Sequence, residues 1–151
     1  MTQANVLEPA GTGALRRLWL RIHEPRVVAL IHFFTYTVLL CGGIAALWDP
    51  PTSIAGQIGL ISMLMLAGML AIGGAIGAVA VLPGWWWVER YATMLIVTAA
   101  TIYAVIIGTL QITSAGNRLL QLSVVLGLIG HVIVRMVRIW DRPYDPARRN
   151  R

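Results

Sequence analysis

Few side chains in this 151-residue sequence could do chemistry in an apolar setting, and the most pointed are His32 and His131. Each has polar company on its own helical face: Tyr36 follows His32 at i+4, and Arg135 and Arg138 follow His131 at i+4 and i+7. Two neutral imidazoles from separate helices could ligate a haem iron axially or relay protons. Hydrogen bonding across helices is the plainer use, and one histidine pair without defined propionate partners does not specify a haem, so no cofactor is expected. Cys41 is the single cysteine, which excludes an internal disulfide and a multi-cysteine metal site. The acids Glu8, Glu24, Asp49, Glu89, Asp141 and Asp145 are read as lying outside the apolar stretches. That reading sets aside exporters built on an intramembrane carboxylate and proteases built on paired aspartates. With no glycine-rich phosphate loop either, the chain is not expected to be an enzyme.

The elements that would position these residues are set by where charge is missing. No charged residue occurs from Val27 to Trp48, from Pro50 to Val88, from Tyr91 to Asn117, or from Leu119 to Val134. A charge at the centre of a bilayer costs a few kcal/mol on insertion scales, and a hydrocarbon core of about 30 Å needs about 20 apolar residues in a helix. The chain is 58% hydrophobic and 12% charged, with a mean hydropathy of +0.74, which is far from soluble composition. The formal charge of +6 would point to nucleic acid in a soluble protein. Here the arginines flank apolar spans, so membrane lipids are the expected partner and nucleic acid is not.

The sequence therefore predicts an all-α polytopic membrane protein with four transmembrane helices and one short amphipathic helix before them. Residues 1–26 form the leader. Within it, Leu15, Leu18, Trp19 and Ile22 repeat at helical spacing and Arg16, Arg17 and Arg21 lie off that stripe, a pattern suited to the lipid interface. Pro25 stops it. The bundle occupies 27–140, with spans at about 27–48, 54–82, 91–113 and 119–140, and the Arg-rich tail is 141–151. Asp49-Pro50-Pro51, Pro83-Gly84 and Ser114-Ala115-Gly116-Asn117 supply the turns. Span two is longer than a bilayer requires, which predicts tilt or an interfacial first turn. Cys41 follows the bulky Leu40 and a long preceding segment, so neither lipoprotein processing nor a cleaved leader is expected.

Orientation follows from counting arginines. With both termini inside, cytoplasmic segments hold Arg16, Arg17, Arg21, Arg26, Arg90, Arg135, Arg138, Arg142, Arg148, Arg149 and Arg151, and outer loops hold only Arg118. That asymmetry obeys the positive-inside rule and predicts a multi-pass protein of the inner (plasma) membrane with N- and C-termini cytoplasmic. Arg16, Arg17, Arg21, Arg138 and Arg142 would meet lipid headgroups, and Arg135 would snorkel from the end of span four.

Span two carries the clearest packing signal. Ala67, Ala71, Ala75 and Ala78 fall near one face, and Gly73-Gly74-Ala75-Ile76-Gly77 holds one G-x-x-x-G. Small residues let helix backbones approach in lipid. Ala67, Ala71, Gly73, Gly74 and Gly77 are thus candidates for packing within the bundle or for homo-oligomerisation. Ser62, Thr98, Thr101, Tyr103 and Ser123 lie deeper than the helix ends but form no continuous polar stripe. The stretch Leu82-Pro83-Gly84-Trp85-Trp86-Trp87-Val88-Glu89-Arg90 and the arginine-rich segment from Arg135 to Arg151 resemble small four-helix membrane proteins of actinobacterial phages and prophages, some of them called holins. The resemblance implies a holin-like protein that oligomerises to permeabilise the membrane or support phage lysis. Two other expectations stand beside it. One is a non-lytic phage or prophage accessory, such as a superinfection-exclusion or anchoring subunit for another membrane protein; the other is a small channel or transporter.

Overall fold

The computed structural model of the chain describes residues 26–114 and 116–140. The predicted leader helix with Arg16, Arg17, Trp19 and Arg21, and the tail with Arg142, lie outside these residues. The described chain is helical throughout: α1 (Arg26–Trp48), α2 (Thr52–Ile58), α3 (Leu60–Val81), α4 (Trp86–Thr113) and α5 (Leu119–Trp140). Four of these, α1, α3, α4 and α5, are long and apolar enough to cross a membrane. They are apolar nearly all round, as helices surrounded by lipid and by one another must be.

Two boundaries differ from the sequence reading. Span two is broken at Gly59, whose φ of 81° and ψ of 152° lie in a region open essentially only to glycine. The excess length forms a separate seven-residue helix, α2, ahead of the span. Span three begins five residues earlier than the 91 expected, at Trp86, so Glu89 and Arg90 are helical. Charge alone had assigned them to a loop. They sit in the first turns of α4, where an acid complements the helix dipole.

Neighbour relations run α1–α3–α4–α5, with α3 and α4 central and α2 resting on α3. Residues of α3 explain its position. On Gly74 a Cβ would stand 2.6 Å from the Leu40 backbone nitrogen, and on Gly43 of α1 a Cβ would stand 2.6 Å from that of Ala71. These two bare positions allow α1 and α3 to touch backbone to backbone. On the adjoining face Gly73 meets Ile96 and the Ala92 carbonyl of α4. By contrast α5 buries only Val125, Val132 and Ile139, one seam at seven-residue spacing. α1 and α5, the two ends of the row, are joined through side chains at the end of the bundle that carries Arg26, Arg90 and Arg138.

Candidate functional site

That join is built around Glu89. Its side chain is wholly buried, with 0% exposure. Arg135 of α5 grips it with both oxygens engaged: Nε donates to Oε1 at 2.7 Å and Nη2 to Oε2 at 2.8 Å. Tyr36 of α1, also fully buried, donates its hydroxyl to Oε1 at 2.9 Å. A carboxylate out of water is tolerated only when paired and hydrogen-bonded, and a bidentate guanidinium plus a phenol satisfies that demand. Gly77 makes room for the phenol: a Cβ there would lie 2.8 Å from Tyr36 Cγ. Three of the spanning helices thus contribute a polar group, and the fourth contributes the space.

One turn along α1 from Tyr36, the His32 ring stacks on His131 of α5, with centroids 4.6 Å apart and an interplanar angle of 27°. His32 is buried, and His131 Nε2 is buried with no hydrogen-bond partner among the described residues. The rings oppose their faces rather than their nitrogens, so axial ligation of one shared iron would require them to swing apart. Beside this cluster Arg90 donates from Nη2 to the Ile139 and Trp140 carbonyls at 3.3 and 3.1 Å, with its guanidinium 4.5 Å from the Trp140 ring centre. Those carbonyls are orphans of the α5 C-terminus, which a cation suits.

The structure brings four sequence candidates, His32, Tyr36, His131 and Arg135, into one cluster, and adds one that the sequence reading placed elsewhere. Glu89 was assigned outside the apolar spans; it is instead the buried centre of the site. Arg135 does not need to snorkel, because its counter-charge comes to it. The signal that could have found Glu89 was Arg135 itself: a guanidinium five residues from the end of an apolar helix calls for an acid at matching depth. Arg90, counted only as a topology marker, caps α5. The five small residues of α3 are all buried, with Gly74 and Gly77 against α1, Gly73 against α4, and Ala67 and Ala71 opposite Gly43. Arg138 is exposed in the last turn of α5, where a lipid headgroup can reach it. Ser62, Thr98, Thr101 and Ser123 are exposed on the outside of the bundle and line no interior path.

No protein-family model, curated protein or solved structure matches the chain.

Proposed function

We propose that the chain is a small ion- or proton-linked channel or transporter of the inner membrane, with both termini cytoplasmic and its operative site at Glu89. The supporting observation is the fully buried carboxylate held by Arg135 and Tyr36. Ionisable groups within spans are costly, and those kept there commonly serve ion or proton pathways. Protonating Glu89 would release Arg135 and loosen the tie among α1, α4 and α5. This is the intramembrane acid that the sequence reading had found missing. Arginine asymmetry supports the cytoplasmic side for this end. The test is proton flux into vesicles containing the purified protein and a trapped pH-sensitive dye. Flux above that of empty vesicles, lowered at least tenfold by Glu89→Gln, is expected; flux equal to empty vesicles would overturn the reading.

A second reading draws on another feature and on the phage-protein resemblance. Ser123, Gly127 and Gly130 lie exposed along α5, and a Cβ at either glycine would meet nothing within 4 Å. Such a face suits close helix contact in lipid. Occupied by further copies, it fits a holin-like oligomer; occupied by another membrane protein, it fits a non-lytic accessory. In either case association would not use the small residues of α3, which are already covered by α1 and α4. Collapse of the membrane potential on induced expression would favour the holin-like form. Recovery of one stoichiometric partner without toxicity would favour the accessory.

A further inference from the structure

We infer that the stacked His32–His131 pair is a proton-operated latch between α1 and α5. Among the described residues these two helices meet through side chains at one end, where the pair is one polar tie and Tyr36 with Glu89 and Arg135 is another. α5 packs mainly on α4, its buried residues Val125, Val132 and Ile139 form a single seam, and Val132 shares one apolar cluster with Ala29 and Tyr36 of α1.

The surroundings decide the sign. From α5 come His131 and, four and seven residues further along the same helical face, Arg135 and Arg138. From α4, Glu89 has both oxygens occupied by Arg135, and Arg90 is held on the last carbonyls of α5. From α1 itself come Arg26 and Tyr36, the Tyr36 ring 6.2 Å from that of His32. α3 and α2 supply no titratable side chain. Among the described residues, then, the one acid at this end is already neutralised. Among these described residues a proton added to the stack meets guanidinium groups and no uncommitted carboxylate, and a second proton adds like charge across 4.6 Å. The stacked arrangement therefore holds two neutral rings. Protonation and closure compete, so by linkage acidification shifts the population toward an open α1–α5 seam. Histidine is the side chain whose charge ordinarily changes between about pH 5 and 8, so the comparison is made across that range.

The latch deepens the transport reading, and its test reads helix separation rather than flux. In a Cys41→Ser background, nitroxide labels go at Ile31→Cys on α1 and Val134→Cys on α5, both exposed positions flanking the stack. Their distance is measured by pulsed electron resonance in lipid nanodiscs at about pH 8 and about pH 5. A longer, broader distance distribution at the acid value is expected. In His32→Phe/His131→Phe, which keeps two stacked rings but removes the titration, the distribution should be the same at both values. Should the double variant not purify as a folded protein, His131→Phe alone should show a smaller acid shift than the parent. A parent distance that does not change with pH, or a full acid shift in either phenylalanine variant, overturns the latch. A pH-dependent distance in a protein without flux retains the latch and removes the transport reading; flux with a fixed distance does the reverse.

Discussion

Among the described residues Arg135 and Glu89 carry the largest electrostatic stake, and neither can be judged without the other. Transferring either ion alone out of water costs several kcal/mol, while a well-packed apolar pair in the same space is often no worse than the ion pair. Breaking such a pair by removing one partner typically costs about 3–5 kcal/mol, because the survivor is left buried and uncompensated. Glu89→Ala is therefore expected to lower the melting temperature in detergent sharply. Glu89→Leu/Arg135→Met should recover most of the loss while abolishing flux. Thermal unfolding of the two variants beside the parent checks this; equal destabilisation of single and double variants would mean that packing, not charge, dominates the site. Sequence made all of this cluster but Glu89 legible. His32, Tyr36, His131 and Arg135 stand out as polar residues in apolar windows, and their helical spacing gave each pair a common face. Glu89 was hidden because it sits beside Arg90 just after a proline-glycine turn, where charge usually means solvent. Its burial is a tertiary fact, created by α5 laying Arg135 against the start of α4.

Elements here are positioned by missing side chains as much as by present ones. The four apolar windows announced the helices, since nothing but a helix can satisfy its backbone in lipid without neighbours. The break at Gly59 was not legible, because a single glycine in an apolar run usually stays helical and only its dihedral angles reveal the turn. The role of α3 was half legible: its small residues could have met another copy as readily as another helix, and periodicity does not distinguish the two. In the folded chain they meet α1 and α4. Gly74 offers the sharpest test, because the atoms a methyl would strike are backbone atoms of α1, the Leu40 nitrogen at 2.6 Å and the Tyr36 carbonyl oxygen at 2.7 Å. A backbone cannot rotate away as a side chain can, so α1 and α3 must separate. Overpacking of this kind usually costs about 1–3 kcal/mol. Gly74→Ala should thus lower thermal stability and weaken the seat of Tyr36. Gly68→Ala, on the same helix with nothing within 4 Å of a new Cβ, should be neutral or slightly stabilising through helix propensity. If the two alanines behaved alike, close approach of α1 and α3 would not be what sets their packing.

At the scale of the whole molecule, orientation decides what the site can respond to. Eleven arginines fall on one side in the proposed topology and one, Arg118, on the other. Four of the eleven, Arg26, Arg90, Arg135 and Arg138, belong to the described bundle, and all lie at the end where Glu89 and the histidine stack sit. The charges that bias topology are therefore concentrated around the proposed latch: Arg135 pairs with the acid, Arg90 holds the end of α5, and Arg138 stands exposed in its last turn. An inverted molecule would put that whole end toward the external medium, against a charge bias of the kind that governs insertion. A reporter that folds only in the cytoplasm should accordingly be active when fused after Arg151 and inactive when fused at Asp49, between α1 and α2. The opposite pattern would reverse the compartment as well as the topology: the stack would then sense pH outside the cell, and acidification of the cytoplasm would leave the α1–α5 seam closed.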